Sequence, residues 1–556
     1  MPVTLAKKDV ATHEVVNQVP FLPDVNLYEG DAILRETVDR EGGGWAEQDL
    51  AAFGAVCGSE ATRELARQAN RHLPELKTHD RRGERIDLVE YHPSYHELMR
   101  ISFGAGVHSY AWNNKRPGAH VARAALSYLW NQAENGTACP TGMNYSAVPI
   151  IQQTAVIGET WAPALNSTAY DPRPIHISKK TGATIGMTLT EKQGGSDLRA
   201  NTTRAVAVDG AGPGALYEIT GHKWFCSAPM CDGFYTLAYT DRGPTCFIIP
   251  RILPDGSRNN FFIQRLKDKL GNRSNASSEV EFRNTLAYAL SEEGRGIRAA
   301  VGMIHLTRLD FTLGSAAMMR HALTQALHHT SHRSAFQRRL IDQPLMRNVL
   351  ADLAVDSEAS TLLAFRVARA CDEVQRGDEG ARRFERIAVA IAKYWTCKRA
   401  SAFIHEALEC HGGNGFVEEH LMARLYREAP LNSIWEGSGN VIVLDVMRAF
   451  QREPDSIAAF LDEVKKAKNA DHRLDKHIAR LEQELSNLAD FEHRGRHLVE
   501  MMVFALQGAL LVQHSTPAVA DAFCAARLDG RWGRAFGTLP PDVDMEAILS
   551  RARLAV

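Results

Sequence analysis

Apolar residues recur along this chain first with helical spacing, then with strand spacing, then with helical spacing again. From about Ala32 to Ser167 they return at every third or fourth position. The clearest stretches are residues 47–53, 95–103 and 119–133, and they predict helices. Polar or glycine-marked breaks such as Glu41-Gly42-Gly43-Gly44 and Asn135-Gly136-Thr137 separate them. Residues 1 to about 20 carry no such pattern and read as a weakly ordered lead. At about Gly182 the texture changes to short runs rich in β-branched and aromatic residues: 183–190, 203–208, 216–226, 234–240, 245–251, 260–266 and 279–282. Seven such runs without intervening helices predict an antiparallel barrel or sandwich. The helical period returns at about Ile297, in residues 303–328, 345–371 and 384–410, as in a bundle. The end of the chain reads as a charged helix from Lys465 through Leu485, an apolar helix over 498–511, and a Gly/Pro-broken tail near 530–541. The expected architecture is mainly α with a central antiparallel β domain. An N-terminal helical domain (1–181) precedes a β-barrel domain (182–291), a helical bundle domain (292–450) and a C-terminal helical domain (451–556).

Composition narrows the class. The 556 residues are 45% hydrophobic and 23% charged, with a formal net charge of −2. That is an ordinary globular balance with no global basic field for nucleic acid or membrane. No run approaches the roughly 18 uninterrupted apolar residues of a membrane span, and the start lacks a signal-peptide core. Nine scattered cysteines without a C-x-x-C pair point to reduced thiols, and so to a cytoplasmic location.

Several familiar signatures fail. No G-K-[ST] occurs, so there is no P-loop. His405-Glu406-Ala407-Leu408-Glu409 starts like a zinc-protease helix but ends in Glu. The cluster His328, His329, His332 lacks a metal-ligand partner nearby, and no metal site is expected. Gly294-Arg295-Gly296-Ile297-Arg298-Ala299 lies outside any βαβ unit.

Five stretches are more informative. Residues 187–197, Met-Thr-Leu-Thr-Glu-Lys-Gln-Gly-Gly-Ser-Asp, run a strand into a small-residue turn whose N–H groups can approach a flat or anionic ligand. Trp224-Phe225-Cys226-Ser227 sets an aromatic pair beside a hydroxyl. In Arg333-Ser334-Ala335-Phe336-Gln337-Arg338-Arg339-Leu340, helical spacing places Arg333, Phe336 and Leu340 on one face. Gly412-Gly413-Asn414-Gly415-Phe416 is a tight turn after a helix. Asn432-Ser433-Ile434-Trp435-Glu436-Gly437-Ser438-Gly439-Asn440 places a carboxylate before a turn and an apolar helix, with Ser438 or Asn440 as cap. The positive end of that helix is expected to keep Glu436 ionised. Each stretch alone also has an ordinary structural reading, as a turn, a core strand or a solvated helix end.

Together, in order and spacing, the five stretches resemble the acyl-CoA dehydrogenase family over about residues 30–450. Residues 187–197, the run 265–277 and residues 432–440 are closer still to its AidB subgroup, flavoproteins of the adaptive response to DNA alkylation with an extra C-terminal helical domain. The resemblance implies FAD as cofactor and a homotetramer in which neighbouring subunits complete each site. It places Met187, Leu189, Thr190, Gly195 and Ser196 at the flavin and its phosphates, with Phe225, Cys226 and Ser227 beside the flavin ring. Arg333, Phe336, Leu340 and Gln343 would reach the adenine-diphosphate part of a neighbour's FAD, with Gly412 and Gly413 close by. Ile434, Trp435, Ser438 and Asn440 would also contact FAD, and Glu436 matches the catalytic base that removes the proton α to a thioester. Departures are Gln337 where the family has Gly, Glu409 where many members have Gln, and Trp435 for Tyr.

The resemblance thus implies an AidB-type flavoprotein that protects double-stranded DNA during alkylation stress, with weak or unknown dehydrogenase activity. The alternative is a working acyl-CoA dehydrogenase. The segment after 450 holds 14 Lys plus Arg against 16 Asp plus Glu, so it is not basic overall. Lys465, Lys466, Lys468, Arg473, Lys476 and Arg480, or Arg527, Arg531 and Arg534, offer local cations for phosphates.

Overall fold

The computed structural model describes residues 12–487 and 490–555, so most of the weakly ordered lead expected over residues 1–20 lies outside the described residues. The N-terminal part is helical, as its period predicts. Two of its helices matter for the site: α1 (Ala119–Ala133) and α2 (Ala138–Gln152). A two-stranded hairpin, Glu75–His79 with Arg85–Glu90, interrupts the helices where only helix was expected.

Seven strands follow: β1 (Ile185–Thr188), β2 (Arg204–Asp209), β3 (Leu216–Ser227), β4 (Gly233–Thr240), β5 (Gly243–Pro250), β6 (Phe261–Leu266) and β7 (Ser277–Ala289). Their order is β1-β4-β2-β3-β7-β5, with β6 on β7 and β4 closing against β5. The sheet is therefore mixed and not purely antiparallel. β1 runs parallel to β4, and β2 meets β4 in parallel at Arg204 and Tyr239. The direction of β1 follows from its anchor. Asn144 of α2 donates to the Ala183 carbonyl (2.8 Å) and accepts from the Ile185 N–H (2.6 Å), feeding the strand in from the helical side.

Four helices make the next layer: α3 (Gly296–His332), α4 (Pro344–Gln375), α5 (Glu379–Glu409) and α6 (Leu421–Glu428). α3 is wrapped on several sides, and two of the charged residues it buries are paired. Its Arg320 bonds Asp31 at 2.7 Å, and its Asp310 is paired with Arg123 of α1. A buried charge is tolerated when it is paired in this way.

After α7 (Gly439–Arg452) comes the C-terminal extension. The expected charged helix from Lys465 through Leu485 is broken. One helix ends at Lys465, Asn469 takes φ 69°, and Asp471 caps a new helix, His472–Leu485. α8 (Phe491–His514) is long and apolar enough to cross a bilayer by composition, but 78% of its most apolar window is buried inside the protein. One apolar core runs from the N-terminal helices through α3, α4 and α5 into α8, so the extension is packed onto the bundle.

Candidate active site

The barrel side of the site begins where β1 leaves the sheet. Thr190 accepts from the Trp224 N–H at 2.8 Å through its carbonyl, and the Thr188 hydroxyl donates to the Phe225 carbonyl at 3.3 Å. The loop beyond is organised around a buried ion pair. Glu191 and Lys223 meet at 2.9 Å with both side chains fully buried. Glu191 also accepts from the Thr202 N–H (2.7 Å), the Thr202 hydroxyl (3.0 Å) and the Thr203 N–H (3.2 Å). Burial alone would raise its pKa, but Lys223 and these donors outweigh it and bring the carboxyl down to about 2. Lys223 is lowered to about 8 by burial against the pull of Glu191. The pair thus fixes the loop that carries Gly195 and Ser196. A Cβ at Gly195 would stand 2.8 Å from the Thr190 methyl, so only glycine allows this approach. Among the described residues, the N–H groups of Gly195 and Ser196 reach no protein acceptor, and both residues are exposed.

The two-residue period of β3 sorts its candidates. Phe225 is 46% exposed, with the Lys267 ammonium 4.7 Å from its ring centroid. Cys226 turns into the barrel core, where burial pushes its thiol up to about 12. Its side chain, like that of buried Leu189, is therefore unavailable to a ligand, contrary to the cofactor role expected for it. Ser227 is half-buried beside the Cys139 thiol of α2, and Met187 sits between two apolar clusters.

The helical side is the Glu436 turn. Glu436 has φ 52° and Gly437 φ 112°, so the chain turns through the left-handed region just before α7. Two cations hold this conformation. Arg308 of α3 donates to the Glu436 carbonyl at 3.1 Å, and Lys393 of α5 donates to the Gly437 carbonyl. Arg308 is itself held by Asp445 of α7 at 2.7 Å, and Asp445 by Arg386 at 3.0 Å. Burial would raise the Asp445 carboxyl, yet these two guanidiniums bring it down to about 2. Lys393 is lowered to about 8, first by burial.

The Glu436 carboxyl moves the other way. Loss of water raises its pKa above the ordinary range, and Arg308 and Lys393 counter this only in part. The helix N-terminus was expected to keep it ionised; desolvation is the stronger effect. Tyr235 of β4 lies within the electrostatic reach of Glu436, so the turn faces the barrel. Trp435 stacks on Phe311 with centroids 4.4 Å apart and donates to Asn432 at 3.0 Å, while Ile434 is exposed. Neither expected cap forms. The Ser438 side chain makes no cap bond, and Asn440 instead accepts from Arg496 of α8 at 2.8 Å.

The remaining candidates form a second cluster. Arg333, Phe336 and Leu340 do not share a helical face, because α3 ends at His332 and a hairpin follows. Phe336 (φ 52°) and Gln337 (φ 63°) form its two-residue tip, and Phe336 is 93% exposed. A pair of positive φ angles is the geometry that a tight hairpin turn requires. It falls on the position where the family's usual Gly is replaced by Gln337. Arg333 donates to the Asn17 carbonyl, and Gln343 donates to the Ala335 carbonyl at 3.0 Å. The His329 and His411 rings meet at a tilt of 41° with centroids 4.7 Å apart, which brings this hairpin beside Gly412 and Gly413, both open where a Cβ would stand. The His cluster is thus used in packing: His328 bonds the Pro20 carbonyl and His332 that of His328.

The Glu436 turn meets α3 at Arg308, Phe311 and Ser315, and the second cluster lies beyond its C-terminal end. Arg308 and Arg333 are 25 residues apart, roughly 37 Å along a helix. Within one chain the two clusters are therefore well separated along α3. Each cluster separately fits part of a flavin dinucleotide: free N–H donors, an exposed aromatic and a carboxylate in one, an Arg-bearing hairpin and open glycines in the other. Arg308, Lys393 and Asp445 escaped the sequence reading, while Glu191 and Lys223 lay inside or beside its motif stretches without an assigned role. For Arg308, Lys393 and Asp445 the signal was present as charges set inside otherwise apolar helices.

Comparison with known proteins agrees with this geometry. Residues 17–172 match the family model of the adaptive response protein AidB N-terminal domain. Residues 186–285 and 294–451 match the middle and C-terminal domains of acyl-CoA dehydrogenases. The chain is 43% identical to AidB of Escherichia coli (strain K12) over 94% of this chain and 95% of that protein. It is 28% identical to acyl-CoA dehydrogenase family member 11 of Caenorhabditis elegans, over 87% of this chain and 84% of that protein. The crystal structure of C. elegans ACDH-11 in complex with C11-CoA superposes with a TM-score of 0.86 at 25% identity, covering 95% of each chain. The chain belongs to the acyl-CoA dehydrogenase family, as an AidB-like flavoprotein whose cofactor is FAD.

Proposed function

We propose that this chain binds FAD between its barrel and its helical layer and that Glu436 removes the α-proton of an acyl-CoA thioester. The observation that carries this reading is the Glu436 turn, held against the barrel by Arg308 and Lys393. FAD, when bound, supplies the acceptor for the β-hydride. The chain supplies the rest. Thr190, Gly195 and Ser196 offer donors to the cofactor, and Phe225 and Ser227 flank its ring. The desolvated Glu436 carboxylate is a stronger base than one in water, which suits proton abstraction from carbon. The stack of Trp435 on Phe311 narrows the space for the acyl group beside that base. The acyl-CoA held by the C. elegans relative supports the same substrate class.

The separation of the two clusters along α3 supports a site completed by a neighbouring copy, in the homotetramer that the family resemblance implies. The test is an anaerobic titration with a panel of acyl-CoAs, read on the flavin spectrum. An acyl-CoA bleaches the flavin, and Glu436→Gln retains FAD but loses the bleaching. A parent protein that no acyl-CoA reduces would refute the reading.

A second reading, DNA protection in the cytoplasm, has support in the AidB match and in a few free cations. Of the nine basic residues expected to offer a surface, five are engaged. Lys465 pairs with Glu482, Lys466 with Glu463, Arg473 with Asp471 and Asp521, and Arg531 with Asp542, while Arg527 is buried on Asp352 and Asp356. Lys468, Lys476, Arg480 and Arg534 make no ion pair among the described residues and are the cations left for phosphate. Four contacts per chain imply a log–log salt slope of about −3.6 for duplex binding. Filter retention of duplex DNA across a salt series measures it, and a salt-independent signal would count against the reading.

A further inference from the structure

The C-terminal extension reaches the flavin side of the molecule at a polar contact between α8 and α7. Arg496 of α8 donates through Nε to Oδ1 of Asn440 at 2.8 Å. Asn440 is the second residue of α7, four positions after Glu436, and both partners are exposed. The contact is held in place by close packing beside it. A Cβ at Gly495 would stand 2.5 Å from Val443 of α7 and 3.0 Å from the Phe491 ring, so α8 is seated directly on α7. On the other flank, Lys398 of α5 lies 3.2 Å from where a Cβ of Gly439 would be.

A carboxamide has one accepting end and one donating end, and the two exchange by a flip. A guanidinium only donates. A hydrogen bond from Arg496 therefore fixes which end of Asn440 is engaged, and leaves the NH2 as the end that is offered elsewhere. The surroundings match that choice. Ser438 makes no side-chain cap, so the first-turn N–H groups of α7 are also donors without a side-chain acceptor. FAD presents mostly acceptors: phosphate oxygens, carbonyl oxygens and ring nitrogens. An Asn440 flipped to present its oxygen would set acceptor against acceptor.

We infer that Arg496 is a positioning residue for the flavin site, acting through Asn440 by locking its amide with the NH2 toward the cofactor. The inference rests on the proposed reading that Asn440 contacts FAD. It gives the extension a role in cofactor retention that does not depend on DNA. An exposed hydrogen bond contributes little to folding by itself, so loss of Arg496 is felt at the ligand and not in the stability of the apoprotein.

The experiment is a set of FAD dissociation constants for the full chain, from flavin fluorescence on reconstitution of apoprotein, with thermal unfolding of each apo variant alongside. R496A weakens FAD by roughly tenfold or more, the scale of one hydrogen bond to a charged group, with unfolding unchanged. R496K keeps most of the affinity, because an ammonium also donates and cannot accept. N440D loses affinity although Arg496 is present, because a carboxylate has no donor for the cofactor. R496A and N440A combined are no worse than N440A alone, the mark of one shared route. FAD affinity unchanged in R496A, or effects of R496A and N440A that add in full, would overturn the inference while leaving the flavin reading intact. An N440A variant that binds FAD like the parent would instead remove the contact on which both stand. If R496A fails to fold, the contrast between R496K and N440D decides: equal losses in the two overturn the inference.

Discussion

Replacing Lys223 by Met tests whether the buried pair with Glu191 governs the flavin-side loop. Both side chains are fully buried, and Lys223 Nζ donates to Glu191 at 2.9 Å and to the Leu237 carbonyl at 2.8 Å. Met fills similar space but donates nothing. The change leaves a buried carboxylate without its cation and a buried carbonyl without its donor. Breaking a buried pair from one side costs about 3–5 kcal/mol. The lowered Glu191 carboxyl is of the same order, since a group moved from 4.5 to about 2 by Lys223 and the Thr202 and Thr203 donors together contributes about 3 kcal/mol. The sign of the pH dependence follows. The folded pKa lies below the unfolded one, so this contribution is fully present above 4.5 and is lost as pH falls through about 2. The assay is urea unfolding of parent and Lys223→Met at neutral pH, repeated in acid, with FAD affinity measured on the folded variant. The expected results are a loss of about 3–5 kcal/mol at neutral pH that shrinks in acid, and weaker FAD binding from a loosened Gly195–Ser196 turn. Adding Glu191→Gln should recover part of the loss, because Gln still accepts from Thr202 and carries no charge. A loss below about 1 kcal/mol for Lys223→Met, the range of a surface pair, would refute the reasoning.

Three further predictions follow from other groups. The raised Glu436 carboxyl must be ionised to act, so the rate of flavin bleaching by an acyl-CoA falls as pH is lowered, with its midpoint above the ordinary 4.5 of glutamate; a midpoint at or below that value contradicts the desolvation argument. Gln337→Gly at φ 63° relieves left-handed strain of about 1 kcal/mol, partly offset by the freer unfolded chain. Gln337→Val, a β-branched residue in that region, costs more than 1 kcal/mol, and equal urea midpoints for the two variants would show the tip to be unstrained. Arg527→Leu strips Asp352 of its 2.5 Å partner where the extension meets α4 and should cost about 3–5 kcal/mol in urea unfolding, whereas an unchanged midpoint would mean that the pair contributes nothing to docking.

The long helices were legible because their apolar period is unbroken over many turns, and all seven strands because short β-branched and aromatic runs were bounded by turn signals, although residues 279–282 marked only part of the last strand, Ser277–Ala289. The misses have physical causes. Arg333-x-x-Phe336 has helical spacing, but α3 stops at His332, and neither Phe336 nor Gln337 advertises a positive φ as Gly or Asn would. The hairpin at residues 75–90 hid in polar strands such as Glu-Leu-Lys-Thr-His, which bury little. The direction of β1 is set by Asn144, forty residues upstream, and no local pattern carries it. In the site, motif stretches marked where ligand groups belong, but the residues that hold them came from elsewhere in the chain. Arg308, Lys393 and Asp445 lie on three different helices and converge only on folding.

That convergence explains why a glutamate can stand at φ 52°. A left-handed residue other than Gly costs about 1–2 kcal/mol. The bonds from Arg308 and Lys393 to the two successive carbonyls are charge-assisted, each contributing about 1.5–3 kcal/mol. The cations thus outweigh the strain, and the turn is held before any ligand arrives. The same two cations act against the desolvation of the Glu436 carboxyl without cancelling it, because their hydrogen bonds go to the backbone and not to the side chain. Position and basicity are thereby set by separate contacts: the carbonyls take the geometry, and the buried surroundings set the proton affinity. If Glu436 acts as the proposed base, it needs no reorganisation when a thioester enters, which is the condition under which a preorganised site lowers a barrier.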